Sequence, residues 1–314
     1  MDTASLEKDT LTRRVLSIVH DPIIPGEGNR KLHEVLGWND PDELARKFIA
    51  DVIACSHGHA LYEIIEWIEV NAFPKKIDGF SYTPESYLTC WRSRSGFHDP
   101  DRVDYFRLLD PFKVKEKITQ DLIDEVWLFA FPYAGYFESI MLGPGAFWCN
   151  APPLPDTEGW QRRIVVMGFN YERGVGEMLE NLGHRAEAIL SRVFNQSIEG
   201  ENLWERFTRH ERTHPGRAEV GTVHFAPNSE RDYDWGNKRY VLSYCDNWYD
   251  FPAMRGEAKR VNCKEWGDGD IRLHHLWWFD HFPHFDGSSN GISHDWWEYV
   301  LDPNQVIEPK KPSV

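Results

Sequence analysis

Three side chains in this sequence have the types, and two of them the spacing, that a bound metal ion requires. Glu180 and His184 are four residues apart in a segment with helical periodicity, and such positions lie on one face of a helix. Carboxylate and imidazole groups are ligands of divalent transition metals. We predict that Glu180, His184 and the more distant His224 bind a divalent metal ion, with zinc as the first candidate.

The helix predicted to carry Glu180 and His184 covers residues 174–194. Its apolar residues recur every three or four positions, which predicts a buried stripe; they are Val175, Met178, Leu179, Leu182, Ala186, Ile189, Leu190 and Val193. Gly176 and Gly183 flank the polar face. Because a glycine costs a helix roughly 1 kcal/mol relative to alanine, they indicate that another segment approaches there. The competing interpretation is a solvated face whose charges pair four residues apart.

A hydrolytic metal site also needs a base and a surface for the substrate. Glu138 and Glu177 are candidates for the general base that acts on metal-bound water. Tyr133, Trp277 and Trp278 are candidates for a substrate-binding wall, because aromatic side chains offer large apolar faces.

Residues 210–214 read H-E-R-T-H and match the H-E-x-x-H motif of zinc peptidases, in which both histidines lie on one helix face. Here Pro215 follows His214 directly, and a residue before proline avoids helical backbone. We therefore predict that His210 and His214 do not share a helix face and do not bind a metal ion.

Histidine and tryptophan are concentrated toward the C-terminus. Residues 274–284 include four His and two Trp, and we interpret this run and residues 220–226 as strands. The His-rich run could bind a transition metal or stack on a ligand. The alternative is that it forms a hydrated interface between two lobes.

The secondary-structure pattern is that of an α/β protein. Apolar runs predict buried strands, and these are separated by helical segments, including one that starts at Pro41. The predicted strands are residues 14–24, 62–70, 125–131 and 163–169. We expect a mainly parallel central sheet flanked by helices in residues 1–200. Residues 201–314 would form a β-rich lobe, rich in Trp and His, packed on that domain.

Ligands of open α/β sheets bind beyond the carboxyl ends of the strands. This rule singles out His20 and Asp21 after the first predicted strand. It also singles out residues 132–139 and residues 170–174, which follow two later strands. Short polar loops follow every strand, so the rule by itself carries little weight.

Composition excludes several classes of function. The 314 residues carry a formal net charge of −15, which argues against nucleic acid or an anionic membrane surface as a partner. The five Cys form no C-x-x-C pair, and the N-terminal residues lack the apolar run of a signal peptide, so we expect a cytoplasmic protein. No apolar stretch is long enough to span a membrane. Glycine-rich phosphate-binding motifs are also missing, so no nucleotide cofactor is expected.

Two segments resemble blocks from a set of uncharacterised bacterial proteins. They are DEVWLFAFPYAGYFESIMLGPGAFWCN, at residues 124–150, and GFNYERGVGEMLENLGHRAE, at residues 168–187. The resemblance covers the middle third of the chain and implies no activity, cofactor or site residue.

Together these patterns lead to three functional hypotheses, the last of which is a structural protein whose acidic surface serves solubility only. The first is a metal-dependent hydrolase that acts on a peptide or glycan substrate in a cleft between the two lobes, so the expected partner is a small-molecule, peptide or glycan ligand. The alternative is a non-catalytic carbohydrate-binding protein that uses its Trp-rich lobe, since the sequence contains 14 Trp.

Overall fold

The computed structural model describes residues 10–195 and 200–307, and its large sheet has five strands. The strands are β1 (Leu11–His20), β2 (Ile23–Ile24), β3 (Arg30–Lys31), β4 (Ala60–Val70), β5 (Glu125–Ala130), β6 (Ser139–Leu142), β7 (Ile164–Asn170), β8 (Val241–Ser243), β9 (Lys259–Val261), β10 (His284–Ser289) and β11 (Ile292–Asp295). The helices are α1 (Leu32–Leu36), α2 (Pro41–Cys55), α3 (Pro84–Ser93), α4 (Tyr105–Leu109), α5 (Val114–Thr119), α6 (Val175–Phe194), α7 (Leu203–Phe207), α8 (Ile271–Asp280) and α9 (Trp297–Leu301).

The five-stranded sheet has the order β4-β1-β5-β7-β6. β1 pairs in parallel with β5, and β5 in parallel with β7, whereas β6 is antiparallel to β7. Every residue of β5 is buried, as expected for a parallel strand covered on both faces. The α/β class with a mainly parallel central sheet is therefore confirmed, and the apolar runs at 14–24, 125–131 and 163–169 contribute its three adjacent parallel strands.

The glycine of β7 shows how closely the chain packs around this sheet. A Cβ atom added at Gly168 would lie 2.2 Å from the carbonyl oxygen of Phe137, in the segment that leads into β6. Any larger residue would push this segment away, so the sequence keeps glycine in the middle of an otherwise apolar strand.

Helices α2 and α6 begin and pack largely as the sequence predicts. Asp40 caps α2, because its Oδ1 accepts a hydrogen bond of 2.8 Å from the backbone N–H of Asp42. In α6 all eight residues of the predicted apolar stripe are buried, and Phe194 extends the stripe.

Two segments differ from their predicted conformation. Residues 271–280, which include most of the His-rich run, form helix α8 and not a strand, because Asp270 caps the helix by accepting from the N–H of Leu273 at 2.8 Å. Residues 220–226 form turns, since Gly221 has a φ of +95° and Thr222 and Phe225 exchange backbone hydrogen bonds. The short strand β6 was not predicted, because its four residues adjoin a long loop rich in Pro and Gly.

The chain divides into two compact units. One, here called the sheet unit, comprises Arg13–Phe48 and Glu63–Leu182. The other, here called the C-terminal unit, comprises Ile49–Tyr62, Gly183–Val314 and the N-terminal residues up to Thr12, as far as they are described. The C-terminal unit contains two-stranded antiparallel sheets formed by β8 with β9 and by β10 with β11.

Tryptophan forms much of the core of the C-terminal unit. Trp248, Trp278 and Trp296 are almost completely buried and surround Phe207, with ring centroids between 5.0 and 5.8 Å from its ring. Such edge-on contacts suit aromatic rings and bury large apolar areas. The Trp content of this unit therefore serves packing to a large extent.

Among the described helices, none combines the length and the apolar character that a membrane span demands.

Candidate metal site

The three predicted ligands lie together. The donor atoms of Glu180, His184 and His224 are all within 4.8 Å of one another. Glu180 and His184 lie on successive turns of helix α6, which is continuous between them, so the helix fixes their spacing. His224 comes from the turn at residues 220–226. The structure therefore brings a face of α6 together with a histidine that lies 40 positions further along the chain than His184.

Close contact between this turn and α6 brings His224 near His184. A Cβ atom added at Gly183 would lie 2.5 Å from Cγ2 of Val223, so the helix can approach the turn only because residue 183 has no side chain. The glycine at this position was predicted to mark such an approach. The backbone N–H of Val223 also donates a hydrogen bond of 3.0 Å to Oε1 of Glu187.

Glu187 contacts both sides of the site. While Oε1 accepts from Val223, Oε2 lies 3.4 Å from Nδ1 of His184. A carboxylate on Nδ1 places the proton there and leaves Nε2 for a metal ion, an arrangement common around histidine ligands. Glu187 therefore connects His184 to the turn that carries His224, and sequence periodicity alone could not reveal its contact with Val223.

His224 has its own neighbours. Its Nδ1 lies 3.7 Å from Oδ1 of Asp232, and its ring packs at 4.3 Å from the ring of Tyr233. The rings of His184 and His224 are perpendicular, with centroids 4.8 Å apart. The side chains of His184 and His224 are 17% and 27% exposed, so the site is partly open to solvent.

These residues fit a zinc ion chemically. Two imidazoles and one carboxylate form a known catalytic ligand set, in which the fourth position holds water. Ligand atoms around tetrahedral zinc are about 3.5 Å apart, given bond lengths of about 2.1 Å. A largest separation of 4.8 Å therefore requires only small side-chain rotations for binding.

The two predicted bases lie in different surroundings. Glu177 is near the start of α6, where its Oε2 accepts from the N–H of Gly174 at 3.1 Å and its Oε1 lies 3.7 Å from Arg173. Glu138 is exposed and accepts a hydrogen bond from the side chain of Asn150. Neither residue belongs to the cluster of donor atoms found among the described residues.

Of the three aromatic residues predicted to contact a substrate, two have side chains that solvent can reach. Tyr133 is exposed and stacks on Phe97, with ring centroids 3.6 Å apart. Trp277 is partly exposed. Trp278 is fully buried, and its indole N–H donates to the carbonyl of Gly221 at 3.0 Å, so protein atoms already cover it and it offers no face to a ligand.

The H-E-x-x-H residues do not form a helix. They lie in turns after α7, as predicted from Pro215. His210 is buried and stacks on Phe225 at 4.6 Å, and burial lowers the pKa of its imidazole. His214 is exposed.

The strand ends of the sheet unit also gather polar groups, as the carboxyl-end rule suggests. The phenol oxygen of Tyr136 lies 2.8 Å from Nδ1 of His20, and that of Tyr171 lies 3.4 Å from Oδ1 of Asp21. Asp21 also lies 2.5 Å from Nδ1 of His33, and this hydrogen bond raises the pKa of the imidazole. His20 ends β1, and Tyr136 and Tyr171 follow β5 and β7, but these groups pair with one another through hydrogen bonds.

Comparison of the chain with models of known protein families, with curated proteins and with solved structures finds no match.

Proposed function

We propose that this protein is a hydrolase that uses a divalent metal ion, zinc in the first instance, bound by Glu180, His184 and His224. The observation that supports the proposal most is the 4.8 Å cluster of one carboxylate and two imidazole donors. Three protein ligands and partial exposure leave a coordination position for water, which distinguishes catalytic zinc sites from closed structural ones.

The chemistry that zinc supplies at such a site is activation of bound water for attack on a carbonyl or acetal carbon. The chain's own contribution is orientation. Glu187 orients the ring of His184 by its contact with Nδ1. It also accepts a hydrogen bond from Val223 and thereby positions the turn that carries His224. Glu177 and Glu138 remain the proposed bases, and peptides or glycans the proposed substrates, with Tyr133 and Trp277 as aromatic contacts.

Metal binding is the first prediction to measure. Metal-free protein titrated with Zn²⁺ in a calorimeter should bind one ion at this site. His184→Ala and Glu180→Gln should each weaken that binding at least about tenfold, because each removes a ligand. His214→Ala is the matched control, since His214 is an exposed histidine of the H-E-x-x-H segment, and it should bind as the parent does.

Hydrolysis is tested separately on a panel of peptide and glycoside substrates, with and without a chelator. The proposal expects turnover that the chelator removes, that Zn²⁺ restores, and that is lost in His184→Ala. If Zn²⁺ binding is the same in the parent and in both ligand variants, the metal site is wrong. If the ion binds as expected but the panel is not hydrolysed, the metal site stands and the hydrolase assignment for these substrates is wrong.

A further inference from the structure

A second group of metal-binding side chain types lies at the C-terminal end of α8. Cys245, Asp246 and His281 place a sulfur, a carboxylate oxygen and an imidazole nitrogen within 4.8 Å of one another. Cys245 and Asp246 begin the 3₁₀ helix Cys245–Asp250, and His281 directly follows α8. The three residues come from two separate elements of the C-terminal unit.

The imidazole of His281 has a nitrogen available for a ligand. Its Nδ1 lies 2.7 Å from the backbone carbonyl oxygen of Trp277. Because a carbonyl only accepts hydrogen bonds, Nδ1 must carry the proton and Nε2 the lone pair. Nε2 is buried and makes no hydrogen bond within the part of the chain that the structure describes. A buried acceptor without a partner costs free energy, which a bound cation would recover.

Burial keeps both the imidazole of His281 and the thiol of Cys245 uncharged. Burial lowers the pKa of His281 to about 4, so the ring is neutral near pH 7, as a metal ligand must be. Burial also raises the pKa of the Cys245 thiol to about 12, so this sulfur is not a nucleophile on its own. A divalent cation would stabilise the thiolate, and the thiol proton would pass to solvent on binding.

We propose that Cys245 Sγ, the Asp246 carboxylate and His281 Nε2 form a second site for a divalent metal ion, separate from the one on α6. Sulfur and imidazole nitrogen select borderline-soft ions such as zinc and disfavour Mg²⁺ and Ca²⁺, which prefer oxygen. Since the ligands join the 3₁₀ helix to the end of α8, the ion would hold these two elements together, with water completing its coordination.

Lys259 is the group that competes with such an ion. Its Nζ lies 2.8 Å from Oδ1 of Asp246 and 3.2 Å from Oε2 of Glu265. The ammonium neutralises part of the charge that would attract a cation. Lys259→Met should therefore tighten metal binding, whereas it would have no such effect if Asp246 served only as a partner for this lysine.

Cobalt is the probe for this site, because thiolate coordination to Co²⁺ gives an intense charge-transfer band in the near ultraviolet. Metal-free full-length protein titrated with Co²⁺ should develop this band. Cys245→Ser should abolish the band, and Asp246→Asn should weaken Co²⁺ binding at least about tenfold. The Asp246 side chain is exposed, so this second variant tests the site without disturbing the core.

Cys263 provides a matched control. It is also buried, and its Sγ lies 3.3 Å from Oδ1 of Asp268, so it offers a thiol beside a carboxylate but belongs to no metal-ligand group found among the described residues. Cys263→Ser should retain the band. His184→Ala should also retain it, because the ligands on α6 include no sulfur. The proposal is overturned if the parent shows no thiolate band, if Cys245→Ser retains it, or if Lys259→Met binds Co²⁺ no better than the parent.

Discussion

Gly183 allows helix α6 and the turn that carries His224 to approach each other closely. A Cβ atom there would come within 2.5 Å of Cγ2 of Val223, a β-branched side chain that cannot rotate away easily. The contact sets the distance between the helix and the turn that carries His224. The proposed metal site would therefore depend on a residue that has no ligand atom.

We predict that Gly183→Ala weakens Zn²⁺ binding at His184 and His224 although alanine is the better helix former. The overpacked contact with Val223 should cost about 1–3 kcal/mol, which matches or exceeds the gain of about 1 kcal/mol in helix propensity. We therefore expect the helix and the turn to move apart. Calorimetric titration measures the affinity, and urea unfolding measures the stability.

The double variant Gly183→Ala/Val223→Ala is the control for this prediction, because it removes the atom that the new Cβ would contact. It should recover much of the lost Zn²⁺ affinity. Equal losses in the single and double variants would show that the contact with Val223 does not set the geometry.

At the scale of secondary-structure elements, an ion pair joins helices α2 and α8. The guanidinium of Arg272 makes two hydrogen bonds of 2.6 Å to the carboxylate of Asp51, which is almost fully buried. Such a two-point pair has a fixed geometry. The pairing raises the pKa of Arg272, so the guanidinium keeps its charge.

We predict that Arg272→Met lowers the free energy of unfolding by about 1–3 kcal/mol, because it leaves a buried carboxylate without its counterion. Adding Asp51→Asn should restore part of the loss, which a double-mutant cycle in urea measures. Lys47→Met is the control on the same helix, since Lys47 and Glu43 form an exposed pair worth less than about 1 kcal/mol. An additive double mutant would contradict the prediction.

At the scale of the whole molecule, buried neutral histidines make stability depend on pH. Burial lowers the pKa of His20 from 6.5 to about 4, and burial also places the pKa of His274 well below its usual value. The unfolded chain takes up protons on these rings before the folded chain does as the pH falls. Their contribution to stability is therefore complete above pH 6.5 and is lost as the pH falls toward 4.

We predict that His20 alone accounts for a loss of roughly 3 kcal/mol in unfolding free energy between pH 6.5 and pH 4. In His20→Asn, unfolding free energy measured in urea across this range should fall less steeply, whatever its absolute value. The control His214→Asn, at an exposed histidine, should keep the slope of the parent. A slope unchanged in His20→Asn would contradict the pKa assignment.

Local sequence patterns were sufficient to predict several of the helices and strands. The apolar runs of β1, β5 and β7 and the stripe of α6 predicted the parallel sheet and its helix, because burial on a strand or helix requires a fixed period. The same periodicity placed Glu180 and His184 on one face. Short-range signals were less reliable where competing signals were present: the Asp270 cap made residues 271–280 a helix, and Gly221 made residues 220–226 turns.

Contacts between residues that are distant in sequence could not be predicted in this way. His224 was a reasonable third ligand by type, but its approach to His184 depends on the contact of Gly183 with Val223 and on the two-sided contacts of Glu187. The cluster of Cys245, Asp246 and His281 had no sequence signal, because His281 is 35 positions beyond Asp246 and the residues come from elements of different type. Burial also removed Trp278 from any binding surface. Contacts of this kind depend on how separate elements pack against each other, and such packing produces no periodic pattern in a single sequence.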